Sequence, residues 1–297
     1  LIVESPAKCQ KIEKFLGPGY KVLGSFGHIT HLSNLKQIEF ENNYKPNFEI
    51  IESKQAQINK LKQAINKAKE VILATDDDRE GEAIAWCLCK FCGLNPETTK
   101  KMVFQEITKS ALTNALSQLT TVQMSRVKSQ QTRQILDIYL GYKVSPLLWK
   151  YVKHTLSAGR CQTPCLKLVY DNQKEIDNLS LETEFQCNTQ FTDKRVPFSC
   201  SIRINKNDIE DFMKTLTTQP PLWIIETKTS RSIKESPPKV LITSSLQQKA
   251  YSYLRFSPKA TMKYAQELYE NGLITYMRTD NACYSKDFIN QLKPFIK

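Results

Sequence analysis

Asp76, Asp78 and Glu80 lie in the run Val71-Ile72-Leu73-Ala74-Thr75-Asp76-Asp77-Asp78-Arg79-Glu80-Gly81-Glu82, which puts five acids within seven residues. In an extended loop these three alternate with Asp77 and Arg79, so their carboxylates would converge on one side. Hard oxygen donors grouped in this way suit Mg²⁺, which keeps several waters and takes one or two carboxylates together with phosphate oxygens. The competing reading is a solvated acidic loop that caps the next helix through its dipole. Far along the chain, Tyr276 and Arg278 stand two apart in Leu273-Ile274-Thr275-Tyr276-Met277-Arg278-Thr279-Asp280, on one side of an extended segment. A phenolic oxygen can attack phosphorus when a cation offsets the developing charge, and a guanidinium can hold a phosphate with two hydrogen bonds. Near the start, Glu4 and Lys8 flank Ser5-Pro6-Ala7. There Lys8 and the helix amides would attract a phosphate while Glu4 exchanges a proton. Taken singly, each of these residues is more often a surface or packing residue.

The elements that must position them follow from the apolar pattern. Val71 to Ala74, then the acids, then Ala83-Ile84-Ala85-Trp86 read as a buried strand, a loop at its carboxyl end and a helix. Open α/β sheets place their ligand sites at such loops. Leu1-Ile2-Val3 is a second strand, followed by a helix with Ser5 at the cap and Pro6 in its first position. Lys21 to Ile29 reads as a strand broken by glycines, where His28 could meet a phosphate or base across a close backbone approach. Ser33 to Phe48 is a polar, irregular excursion, Ser53 to Glu70 a helix, Met102 to Thr108 a short strand, and Lys109 to Gln118 a helix. This alternation predicts a parallel or mostly parallel sheet. From Val122 the character changes: Val127, Gln131, Ile135, Ile138 and Tyr142 keep helical spacing, and Gly141 to Pro146 would end that helix before Leu147. Arg126, Lys128, Arg133, Lys143, Lys150 and Lys153 make the segment basic, and Leu156 to Pro164 offers hydrogen-bond donors, or is a plain connecting loop. Glu182 to Ile233 alternates short β-type runs with polar turns; Ser244 to Leu254 resumes helix, and Ser257-Pro258 opens another that Asn271-Gly272 closes.

Across 297 residues the formal net charge is +12, so the acidic cluster is placed locally against a basic background. A basic surface around a small acidic metal site is the pattern of enzymes acting on nucleic acid phosphates. No apolar run reaches the length of a membrane span, and a soluble, intracellular, cytoplasmic protein is the expectation. Nine cysteines lack the paired spacing of a zinc ribbon, and Cys87, Cys89 and Cys92 read as core thiols rather than metal ligands.

In order, the chain carries Glu-Ser-Pro-Ala-Lys, Asp-x-Asp-x-Glu-Gly-Glu-Ala-Ile-Ala-Trp, Leu-Ser-Ala-Gly-Arg-x-Gln and Gly-x-Ile-Thr-Tyr-x-Arg-Thr-Asp, between Leu1 and Asp280. This conjunction closely resembles the type IA DNA topoisomerases, and Glu-Ala-Ile-Ala-Trp is similar to the bacterial topoisomerase I branch. The resemblance implies a multidomain fold of α/β, α and β parts: a Toprim domain over 1–119, a helical DNA-binding domain over 120–179, a β arch over 180–238, and the start of a tyrosine-bearing domain over 239–297. The excursion over 33–48 is expected to join the helical domain. It further implies that Asp76, Asp78 and Glu80 hold Mg²⁺, that Glu4 protonates the departing 3′ oxygen, and that Lys8 sits at the scissile phosphate. Tyr276 would form a 5′-phosphotyrosine with Arg278 beside it, Gln266 and Asp280 in support, and His28, Arg133, Tyr142, Arg160 and Gln162 on the DNA. Two transesterifications with strand passage between them would relax negatively supercoiled DNA without ATP, on a single-stranded region and as a monomer. Members of the family continue well past the tyrosine, so this chain reads as the N-terminal part of a ring-shaped protein, without the C-terminal zinc ribbons common there. The alternatives are a Toprim nuclease or primase-like enzyme using the carboxylates alone, and a catalytically incompetent fragment that binds single-stranded DNA.

Bacterial relatives often prefer a cytosine a few nucleotides upstream of the cut, read by a pocket with paired arginines where this chain has Arg133-Gln134 and a further arginine where it has Ile138. Tyr142 keeps its match, but stacking tolerates every base. We expect a blunted cytosine preference. Cleavage-site mapping on random single strands checks it: a strict upstream cytosine would refute the expectation, whereas Gln134→Arg should sharpen the preference.

Overall fold

The computed structural model describes residues 1–179, 183–193, 195–218, 232–235 and 238–296. They form two compact units, one of Leu1–Arg160 with Pro238–Lys297 and one of Cys161–Pro237.

In the first unit, β1 (Ile2–Val3), α1 (Cys9–Leu16), β2 (Leu23–Gly24), β3 (Thr30–His31), β4 (Ile38–Glu39), β5 (Lys45–Pro46), β6 (Glu49–Ile50), α2 (Gln55–Lys67), β7 (Ile72–Ala74), α3 (Arg79–Cys92), β8 (Lys100–Lys101) and α4 (Lys109–Ser117) come in order. A four-stranded sheet runs β2-β1-β7-β8, every pair parallel, with Ile2 opposite both Leu23 and Leu73. Its strands are short, yet their residues alternate strictly between two cores. Val3, Ile72 and Ala74 face α1, α4 and, from the far end of the chain, Ala265, Tyr269, Tyr276 and Met277. Ile2 and Leu73 face the other way, toward Ile58, Leu61, Ile84 and Leu88 of α2 and α3. The tyrosine segment is therefore packed into one face of the α/β layer.

Helix α3 begins where Asp78, in an extended conformation, accepts a hydrogen bond from the Gly81 amide. A Cβ on Gly81 would lie 2.2 Å from the Asp76 carbonyl oxygen, so only glycine lets the first turn of α3 lie against the loop that feeds it. The helix closes at Gly93 in the left-handed conformation.

Helix α5 (Met124–Tyr151) packs along α3. It continues past Gly141 and Pro146, where the sequence pattern predicts a stop. A proline inside a helix removes one intrahelical hydrogen bond and crowds the carbonyl four residues before it, at a cost of about 3 kcal/mol that contacts elsewhere must offset. The loop that follows folds back on the flanking turns: the Trp149 indole donates to the Leu156 carbonyl at 2.6 Å and the Ala158 amide to the Ser145 hydroxyl at 3.1 Å. The 33–48 excursion lies against the same helix, with the Tyr142 hydroxyl donating to the Ser33 carbonyl at 3.1 Å and the Phe40 and Tyr139 rings 5.9 Å apart.

Two further expectations need correction. The strand expected over Met102–Thr108 is β8, two residues earlier; beyond the Met102 amide, which donates to the Leu73 carbonyl, the chain leaves the sheet to pack Phe104 and Ile107 into the core. The strand expected over Lys21–Ile29 stops at Gly24, because Phe26 and Gly27 both take positive φ, 62° and 80°.

In the second unit, α6 (Gln162–Asp177) precedes a long antiparallel hairpin of β9 (Glu184–Asp193) and β10 (Val196–Asn205), paired from Glu184 with Asn205 to Asp193 with Val196. Helix α7 (Ile209–Thr218) follows where the pattern had suggested further β runs; Glu210 and Asp211 in its first turn complement the helix dipole. The rest of the expected β region, over 219–231, lies outside the described residues. The last elements, back in the first unit, are α8 (Thr243–Leu254), α9 (Pro258–Glu270) with Ser257 as its cap, and α10 (Lys286–Leu292).

A buried ion pair joins three of these elements. Lys101 of β8 lies 2.6 Å from Glu82 of α3, both wholly enclosed, and the second Glu82 oxygen accepts from the Gln123 amide just before α5. Lys101→Met should cost about 3–5 kcal/mol by stranding the carboxylate. Lys101→Met combined with Glu82→Leu should recover at least half of that loss. Urea unfolding followed by tryptophan fluorescence measures both; equal destabilisation by the single and double changes would contradict the expectation.

Candidate active site

Asp78 brings the two distant motifs together. One of its oxygens caps α3 through the Gly81 amide at 2.8 Å; the other accepts the Tyr276 hydroxyl at 2.5 Å and Arg278 Nη1 at 3.2 Å. The tyrosine reaches it because its segment is held on both sides. The Tyr276 amide donates to the Gln105 carbonyl at 2.7 Å, and the Thr243 hydroxyl donates to the Met277 carbonyl at 2.8 Å. Gly272, with φ +63°, turns the chain out of α9 into this segment. Tyr276 is buried, and its ring lies edge-on to the enclosed Tyr269 at 5.1 Å. Burial, then the hydrogen bond to Asp78 and the nearby Asp76 charge, push the Tyr276 phenol well above its ordinary range, so it stands as a neutral donor.

Behind Asp78, the enclosed Lys8 forms an ion pair with Asp76, its ammonium 4.8 Å from the centre of the Tyr269 ring. Burial raises the Asp76 carboxyl and Lys8 opposes the rise. Glu4 faces the same cleft. Burial first, and the Asp76 and Asp78 charges next, raise its carboxyl to about 7 against the pull of Lys8 and His28. A group protonated near neutrality in this place is suited to general acid work.

Glu80 corrects the sequence reading. It does not continue an extended alternation, because α3 has begun at Arg79 and turns Glu80 onto another side. There it meets His28 at 3.4 Å, Gln130 at 2.9 Å and Arg133 at 3.6 Å, and the His28 hydrogen bond, aided by Gln130 and Arg133, holds it below the usual carboxylate range. Asp76, Asp78 and Glu80 therefore do not face one point. Among the described residues, no three His, Cys, Asp or Glu groups stand in the geometry of a metal site. The donor chemistry of Glu4, Asp76 and Asp78 nevertheless fits a hard divalent cation: all three are carboxylates lining or adjoining one cleft, and the Asp76 and Asp78 charges add to burial in raising Glu4.

The remaining predicted residues are more spread out. Gln266 lines the Glu4 cleft and donates to Glu270 at 2.9 Å, and Asp280 is exposed beyond Arg278. Arg133 joins Arg79, Arg126 and Arg278 around a second cleft of about 520 Å³ beside Asp78. Tyr142 is half exposed on α5, and Arg160 holds Asp137 through two hydrogen bonds of 3.0 and 3.2 Å. Gln162 opens α6 in the second unit. Sequence reasoning missed Tyr269, Gln130 and the 2.6 Å pair of Arg126 with Asp77. Tyr269 falls on the apolar stripe of α9 and Gln130 one turn before the noted Arg133; nothing local marks either as part of the site.

The Toprim domain family matches residues 1–107, and the DNA topoisomerase family matches residues 121–297. The chain belongs to the type IA DNA topoisomerase family. The structure is similar to full-length topoisomerase I from Thermotoga maritima, with 36% identity and a TM-score of 0.87 over 99% of this chain and 52% of that one. The chain thus spans about half the length of that relative. Toprim domains typically bind divalent metal ions.

The raised Glu4 carboxyl sets a pH dependence. Its folded pKa, about 7, lies above the ordinary value of 4.5, so the folded state holds the extra proton between them. Stability from this group is complete below about 4.5 and is lost as pH rises through about 7. In metal-free protein, Glu4→Gln should flatten the fall in unfolding free energy over that window. Denaturant titrations at several pH values with a chelator present test this; an unchanged slope would assign the titration to another group.

Proposed function

We propose that this chain carries the strand-cleaving centre of a type IA DNA topoisomerase. One observation supports this above the others: the Tyr276 hydroxyl and the Arg278 guanidinium meet on one oxygen of Asp78, in the acidic loop of a Toprim domain. A nuclease or primase-like enzyme working through its carboxylates needs no tyrosine there.

On this reading the scissile phosphate enters between Arg278 and Lys8, which offset its charge. Asp78 takes the phenolic proton as the Tyr276 oxygen attacks phosphorus, and the 3′ oxygen leaves with the proton held by Glu4. The product is a 5′-phosphotyrosine that keeps the bond energy, so no ATP is spent when the 3′ hydroxyl attacks in reverse. Asp76 and Asp78, with Glu4 at their edge, would hold Mg²⁺, which when bound supplies positive charge to align the ends. Gln266 and Asp280 support the tyrosine segment, while His28, Arg133, Tyr142, Arg160 and Gln162 contact the strand. The substrate is a single-stranded region of negatively supercoiled DNA, in the cytoplasm, and the protein acts as a monomer. The division at 119, 179 and 238 into Toprim, helical, arch and tyrosine domains belongs to the same proposal.

A suicide-cleavage assay with a labelled single-stranded oligonucleotide tests the reading. A covalent adduct should form and fall by at least 10³-fold in Tyr276→Phe, because phenylalanine has no nucleophile. An adduct that persists in that variant would name another nucleophile, and no adduct with the unaltered chain would leave only a DNA-binding fragment. Chelation should slow rejoining more than cleavage, since cleavage draws its positive charge mainly from Arg278 and Lys8. Equal loss of both steps would oppose that division of labour.

A further inference from the structure

Phe26 stands at the mouth of the Glu4 cleft in a conformation that demands a reason. Its φ is 62°, in the left-handed region, where a bulky side chain is a true outlier. The residue is 49% exposed, so side-chain packing offsets little of the strain. The surrounding backbone is nevertheless pinned. The Lys54 ammonium donates to the Phe26 carbonyl at 2.8 Å and lies 5.8 Å from the ring centre; the next amide, of Gly27, donates to the Glu4 carbonyl at 3.0 Å. The buried Ser25 hydroxyl holds the Gly27 carbonyl at 3.2 Å. Phe26, Lys54, Glu4, Asp76 and Gln266 line one cleft of about 390 Å³. A strained residue held rigidly at a cleft is a mark of function.

We propose that Phe26 is a base-stacking platform, binding a nucleotide on the 3′-hydroxyl side of the cut within one or two positions of it, with Lys54 set against the adjoining phosphate. The side follows from Glu4, whose backbone carries the Phe26 loop and whose carboxyl is assigned to the departing 3′ oxygen; to that extent the inference rests on the proposed function. An aromatic face binds any base, so the platform adds affinity and register without reading sequence. Lys54 brings the positive charge that a strand backbone requires.

The test is equilibrium binding of a single-stranded deoxyoligonucleotide in a Tyr276→Phe background, so that no cleavage intervenes, with 2-aminopurine placed at successive positions. Phe26→Asn is the informative change, because asparagine accepts the left-handed backbone and offers no aromatic face. Affinity should fall about 5- to 150-fold, the range expected for one stacked base. The slope of affinity against salt should stay unchanged, because no phosphate contact is lost. Quenching of 2-aminopurine at one position near the cut should disappear with Phe26→Asn and return with Phe26→Trp. Unchanged affinity, a changed salt slope, or a loss that Phe26→Trp does not restore would overturn the inference. Failure of the Tyr276→Phe protein itself to bind the oligonucleotide would instead overturn the proposed function.

Discussion

A single carboxylate, that of Asp78, holds two distant segments of this chain in one place. It caps α3 and accepts from a tyrosine 198 positions later in the chain. The two roles depend on each other. Capping fixes the carboxylate rotamer, and an acceptor fixed in this way can orient a buried phenol and an arginine at once. The cap in turn requires Gly81, since any side chain there would meet the Asp76 backbone. A structural rule of helix starts and the meeting of two distant segments are thus satisfied by the same carboxylate.

Around this point the protein buries charge that it does not fully neutralise. Lys8 and Asp76 form one enclosed pair, Lys101 and Glu82 another, and Glu4 remains with its carboxyl raised to about 7. Buried ion pairs contribute little net stability, but they hold their members in one arrangement. The Lys101 pair lies away from Asp78 and ties the sheet to α3 and α5. The Lys8 pair lies beside it, enclosed against the Tyr269 ring. The acids gathered in this cleft stand out against a chain whose formal net charge is +12.

Glu80 shows how local structure redirects a motif. Its place in the acidic run suggests a partner of Asp76 and Asp78, whereas its place in the first turn of α3 aims it at His28, Gln130 and Arg133. It thereby links the acidic loop to α5, the helix that presents the basic residues.

The sequence by itself determined the strand, loop and helix around the acidic cluster, the caps at Ser5 and Ser257, and the turn at Asn271-Gly272. It also carried the ordered motifs that mark the family. All of these are local: apolar period, capping side chain and short spacing act within a few residues, so one-dimensional information suffices. Only the tertiary structure decided that Tyr276 donates to Asp78, that Tyr269 lies beneath Lys8, that α5 continues past Pro146, and that Phe26 is strained and exposed beside Glu4. Each of these depends on contacts between segments tens to hundreds of residues apart. Hydrogen bonds to such segments outweigh local preference: Lys54 and Glu4 pin the backbone around Phe26, and the loop after α5 folds back onto the turns that hold Pro146. No pattern within a few residues contains those distant partners.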